Sequence, residues 1–249
     1  MTEARRVEDL VYGVDPDAHV AEVVIDRPEA RNAFTAGMWT AATELLEDAA
    51  ADDSVSTLLL RATSTVFCAG ADVREVRVGD DASRPFRGFV TAIEAFPKPL
   101  VAAVQGAAVG GGFTMLAYAD VVLVAPEARF RAPFVEMGLV PEAGSSLMLP
   151  ALVGPRAAAE LVLTARWMGA EEAHRVGFAT EVVAADELGS RARDVAARIA
   201  AMPLPSLVAT KALLRHGRRH VEEVRARESA AFQELLAARP GPRPDPPGR

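Results

Sequence analysis

Glu142 stands in the stretch GLVPEAGSS, with Leu139, Val140 and Ala143 beside it. A glutamate taken out of water by such neighbours holds its proton more tightly and is a stronger base when ionised. That suits the removal of a proton from carbon. A Pro-Glu pair also marks ordinary solvated turns, and the residues alone leave both readings open. Glu136, six residues earlier in FVEMG, is the nearest rival carboxylate. A carbanion also needs a place for its negative charge. Gly110, Gly111 and Gly112 stand directly before the apolar stretch FTMLAY. The first amides of a helix have no intrahelical partner and carry partial positive charge, so an anion or a polarised oxygen is stabilised there. A second small-residue loop, Ala69-Gly70-Ala71 in VFCAGADV, would let a ligand lie against the main chain. An ordinary turn explains the second loop as well, and close packing explains a glycine in the first. The dinucleotide spacing G-x-G-x-x-G is absent.

These groups need elements to hold them. HVAEVVI (19–25), TLLL (57–60), LVAAV (100–104) and VVLV (121–124) read as strands. Between them lie helical patterns. Thr35 can cap a helix with Met38, Ala42, Leu45 and Ala49 on one face, and a helix should follow the glycines. The alternation predicts an α/β domain with parallel strands. From Pro155 the chain turns mostly helical, with Leu188, Ala192, Val195 and Ile199 on one face. Pro203 and Pro205 mark a joint before helices over 206–215 and 220–238. The expected organisation is a core over 1–200, a helical part over 201–238 and a disordered tail over 239–249. The stretch 74–87 is charged and poorly patterned, and reads as a mobile loop and part of the pocket wall.

The chain has 249 residues, half of them hydrophobic, and a net charge of -7. It is long enough for a large core, and its acidity argues against a nucleic-acid binder. The N-terminus lacks the apolar stretch of a signal peptide, and no run reaches membrane-spanning length. The expectation is a cytoplasmic protein without a membrane partner. Cys68 is the only cysteine and reads as a packing residue. His19, His174, His216 and His220 are scattered, and no metal-ligand spacing occurs.

VFCAGADV, then KPLVAAVQGAAVGGGFTMLAYADVVLVAPEARFRAPFVEMGLVPEAGSS, resembles the crotonase family, also called the enoyl-CoA hydratase/isomerase family. IDRPEARNAF and GAEEAHRVGFATEVV fit as well, so the likeness runs from about residue 20 to 235. It implies a spiral of β-β-α turns with a C-terminal helical part that supports trimers, as a homotrimer or a dimer of trimers. It implies an acyl-CoA thioester as ligand, no separate cofactor and no metal. The backbone N–H groups of Ala71 and Gly111 would form the oxyanion hole. Ala69, Gly70, Asp72 and Val73 would line the CoA moiety, and Arg31 in RNAF would lie near its nucleotide end. Asp72 and Asp120 match acidic positions that read as mainly structural.

Hydratases of the family use two glutamates, at the positions held here by Thr114 and Phe134. Threonine is too weak a base, and phenylalanine cannot carry a proton. Glu142 matches the catalytic base of the peroxisomal-type 3-enoyl-CoA/2-enoyl-CoA isomerases, to which the chain is most similar. Phe134 would then serve as an apolar wall. The dehalogenase branch also uses a histidine, which the matching stretch RPFRGFVTAIEAF lacks. The alternatives are a hydratase-like enzyme on another acyl-CoA and a non-catalytic acyl-CoA-binding subunit.

Overall fold

The structure, a computed structural model, describes residues 4–75, 80–215 and 220–238. The chain opens with β1 (Arg5–Val7), β2 (Leu10–Asp15) and β3 (Val20–Ile25), followed by α1 (Ala36–Ala51). Then come β4 (Thr57–Ala62), β5 (Val66–Cys68) and α2 (Asp80–Ala95), and next β6 (Leu100–Val104), β7 (Ala107–Val109) and α3 (Gly111–Thr114). The third set is β8 (Val121–Val124), β9 (Arg129–Arg131), α4 (Ser145–Val153) and α5 (Pro155–Thr164). The last is β10 (Met168–Gly169), α6 (Ala170–Arg175), β11 (Glu181–Val182), α7 (Leu188–Ala200), α8 (Leu204–Arg215) and α9 (Val221–Ala238).

The pairs β4/β5, β6/β7 and β8/β9 each place their first strand in one sheet and their second in another. The larger sheet has the order β1-β2-β3-β4-β6-β8-β11, and the smaller one β10-β9-β7-β5. From β3 onward the large sheet is parallel, as the alternation of elements predicts. This is the spiral of β-β-α turns. Its parallel strands are covered on both faces, so they read as apolar runs without alternation. All five residues of β6 are buried.

The Thr35 cap is present: its side chain accepts from Met38 N at 3.1 Å. Met38, Ala42, Leu45 and Ala49 are buried. The helix after the glycines is shorter than expected. α3 has four residues and tightens into a 3-10 turn over Met115–Tyr118. The loop expected over 74–87 is helical from Asp80 onward, inside α2. The sequence obscured it because polar residues and Pro85 fill its first turns, and its apolar face begins near Phe86. The rest of that stretch, 76–79, lies outside the described residues, as does the tail over 239–249. His216 does too.

Each of the three glycines has its own reason. Gly110 has φ +54°, a region that costs a side chain dearly. A Cβ on Gly111 would meet side chains, Glu142, Phe86 and Trp39, rather than backbone. Gly112 is pressed on Cys68: a Cβ there would stand 2.5 Å from Cys68 O and 2.7 Å from Cys68 Sγ. Gly112→Ala should therefore destabilise the protein by about 1–3 kcal/mol through overpacking. A lowered melting temperature checks this, and an unchanged one contradicts it.

Candidate active site

The two small-residue loops meet. A Cβ on Gly70, which has φ +90°, would stand 2.8 Å from Val109 O and 3.5 Å from Gly111 N. The first loop is fastened along the segment 31–34. Ala69 N donates to Arg31 O, Phe34 N to Gly70 O, and Asp72 N to Phe34 O. The Phe34 bonds use Gly70 O and Asp72 N, the groups on either side of Ala71. Among the described residues neither Ala71 N–H nor Gly111 N–H has a protein partner. Ala71 is exposed, and Gly111 is the first residue of α3. Two amides from adjacent loops are thus left for an outside acceptor.

Asn32 holds this arrangement, and sequence reasoning missed it. It is fully buried, donates to Val66 O and Ser64 Oγ, and accepts from Arg27 N. Asp72 is buried as well. Its carboxylate takes hydrogen bonds from Arg74 and Arg27, and Arg74 above all holds its pKa well below the usual carboxylate range. Its work here is to tie the loop. Arg31 is exposed and contributes its carbonyl to the loop; Val73 is exposed beside it.

Glu142 comes to the same place. Its Oε1 lies 3.4 Å from where a Gly111 Cβ would be, with Phe86 Cε2 at 3.4 Å and Trp39 Cη2 at 3.6 Å from that point. The carboxyl lies on the wall of a cavity of about 640 Å³ that also includes Phe86, Val90, Arg225 and Glu228. Burial, and then the negative charge of Glu228, push the Glu142 pKa up to about 8. The apolar neighbourhood read from the sequence is present, since Leu139 and Ala143 are buried. The solvated-turn reading fails on this geometry.

The segment after Glu142 is held against strain. Ala143 has φ +59°, a left-handed conformation that costs about 1–2 kcal/mol for a residue with a Cβ. Tyr118 OH donates to Ala143 O at 2.7 Å. Ser145 N and Oγ donate to Glu142 O. Such strain persists only where the surroundings impose it, and it clusters at functional sites.

The other sequence candidates lie elsewhere. Thr114 is fully buried, with Oγ1 turned to Gly111 O at 3.5 Å. Phe134 is in the core, and neither residue lines the cavity. Trp39 and Phe86 form the aromatic wall at the site, their rings 5.0 Å apart. Glu136 is exposed and pairs with Arg131. Asp120 accepts from Leu100 N and pairs with Lys211, so it is structural as read. Cys68 is buried, and burial raises its thiol pKa to about 12, which fits packing. His19 and His174 contact backbone carbonyls of Ser54 and Ala179. No cluster of metal ligands occurs among the described residues. No single described helix is long and apolar enough to cross a membrane.

Two amides without protein partners beside a half-buried carboxyl are an arrangement that can hold a negatively charged oxygen next to a proton acceptor. Residues 15–240 match the family model Enoyl-CoA hydratase/isomerase. A probable enoyl-CoA hydratase of Rhizobium meliloti (strain 1021) is 32% identical over 228 residues, covering 90% of this chain and 89% of the relative. The 1,2-epoxyphenylacetyl-CoA isomerase of Escherichia coli (strain K12) is 32% identical over 193 residues, covering 74% of each. The crystal structure of an enoyl-CoA hydratase/isomerase from Pseudoalteromonas atlantica T6c superposes with a TM-score of 0.88 at 35% identity, covering 93% of this chain and 92% of that one. The chain belongs to the enoyl-CoA hydratase/isomerase, or crotonase, family, and it is an enzyme of that family.

Proposed function

We propose that this enzyme moves the double bond of a 3-enoyl-CoA to the 2-position, with Glu142 as its one base. The observation that carries this is the carboxyl of Glu142 beside Gly111, next to two unpaired amides. Glu142 takes a proton from the carbon next to the thioester. The C–H electron pair passes into a dienolate, whose oxygen accepts from Ala71 N–H and Gly111 N–H. Each such donor is worth about 3–4 kcal/mol to the transition state. The protonated Glu142 returns the proton at the γ-carbon, and the double bond ends conjugated with the thioester. Trp39 and Phe86 keep water from the dienolate. Thr114 and Phe134 supply no second proton-transfer group, and none is needed. The reaction uses no cofactor beyond the CoA of the substrate. The CoA moiety lies along Ala69–Val73, with Arg31 toward its nucleotide end. The exposed Leu213 and Leu214 of α8 supply a face for the assembly of copies into a homotrimer or a dimer of trimers.

One observation favours a second reading, a hydratase. Glu222 and Glu228 line the same cavity as Glu142, so further carboxylates are present although both usual positions lack them. The names of relatives also lean that way. The test offers the purified protein a 3-enoyl-CoA and, separately, a 2-enoyl-CoA, with products followed by mass. Conversion of the first without mass change, and no change in the second, is expected. Gain of one water on the second would establish the hydratase. Binding without conversion of either would leave an acyl-CoA-binding subunit.

A further inference from the structure

Glu228 is a buried carboxylate on α9, far from Glu142 in sequence. Its Oε2 accepts from Gly144 N at 2.6 Å and its Oε1 from Ser146 N at 2.8 Å. Both amides belong to the turn that starts α4, directly after the strained Ala143. A carboxylate that bridges two backbone amides fixes their segment in two places. The contact is close elsewhere too: a Cβ on Gly144 would stand 2.9 Å from Val221 Cγ1 of α9. The C-terminal helix, which the sequence sets apart from the core, thus forms a wall of the site.

We propose that Glu228 is a positioning residue for Glu142, clamping residues 144–146 so that the base is placed and tuned only when α9 is seated. This rests on the reading of Glu142 as the base. The clamp has a definite electrostatic setting. Glu222 and Arg225 line the cavity from α9, and Arg87 from α2. Arg225 pairs with Glu94 of α2, and Tyr118 faces the group from the 3-10 turn. Burial raises the Glu228 pKa, while the two amides and Arg225 favour its charged form. A charged Glu228 opposes ionisation of Glu142.

The test compares pH–rate profiles on a short 3-enoyl-CoA for the wild type, Glu228→Gln, Glu228→Asp and Glu142→Gln, with melting temperatures alongside. Glu228→Gln removes the charge and keeps the length, so the acidic limb of the profile should move to lower pH. Glu228→Asp keeps the charge and loses reach. Its limb should stay, while kcat falls about ten-fold or more with KM changed less, the effect of a displaced base. An unmoved limb in Glu228→Gln overturns the proposal, even if activity falls. If that variant does not fold, Glu228→Asp decides alone, and wild-type kcat in it overturns the proposal. Full activity of Glu142→Gln would remove the base itself, and the proposal with it. An inactive Glu142→Gln beside an unmoved limb in Glu228→Gln strikes the clamp alone.

Discussion

Glu142→Gln should lose double-bond migration by about 10²- to 10⁴-fold in kcat, the usual contribution of a positioned general base, and still fold and bind CoA esters. The amide fills the same space beside Gly111 and cannot take a proton. In the wild type the base must be ionised, so kcat/KM should rise with pH through about 8, where burial and Glu228 place its titration. The same shift affects stability. Between the ordinary glutamate range and about 8, the folded chain holds a proton at Glu142 that the unfolded chain has lost. Stability from this group is therefore complete at low pH and is lost as pH rises through about 8. Glu142→Gln should flatten that part of the stability profile. Denaturant melts at several pH values, beside steady-state rates, check both statements. A variant with near-wild-type kcat contradicts the role of Glu142.

Gly111→Ala should cost about 10²- to 10³-fold in kcat, comparable to losing one oxyanion donor, with little change in melting temperature. The new methyl would meet Glu142 Oε1, Phe86 and Trp39 at 3.4–3.6 Å. Those are ordinary van der Waals contacts, and all are with side chains, so the fold can accept them. The substrate cannot, because the methyl would stand 3.4 Å from Glu142 Oε1, where the reacting carbon must come. Gly112→Ala is the matched control. It meets Cys68 backbone and side chain inside the core, and it should lower the melting temperature rather than act at the reacting atoms. If Gly111→Ala turns over like the wild type, the cavity beside Glu142 is not where the thioester reacts.

Much of this site was legible because its parts are local. The strands over 57–60, 100–104 and 121–124 are continuous apolar runs, as sheets buried on both faces require. Glu142 stood out as a carboxylate among apolar neighbours, and the structure buries two of them, Leu139 and Ala143. The loops at Ala69–Ala71 and Gly110–Gly112 were visible as small residues before elements. What the sequence hid is mostly long-range. The β5, β7 and β9 strands have three residues each, too short for a period to show. Asn32 reads as a turn residue until its bonds to Val66 and Ser64 are seen. Phe86 follows Pro85 in a stretch that looks irregular, and Trp39 looks like one more core residue of α1. Glu228 sits in a charged helical pattern that reads as a solvated face, and only the return of α9 onto α4 buries it. The family likeness supplied the pairing of Ala71 with Gly111, which no spacing along the chain could reveal.

The central claim is that one carboxyl, Glu142, moves a proton at the carbon next to the thioester. The most direct test supplies a 3-enoyl-CoA carrying deuterium at the α-carbon, in ordinary water, with the wild type beside Glu142→Gln and the product followed by magnetic resonance. The wild type should carry deuterium from the α- to the γ-carbon of the conjugated product, with no addition of water, while Glu142→Gln should leave the ester unconverted. Equal conversion by both proteins, or a wild-type product whose γ-carbon gains hydrogen only from water, would contradict it.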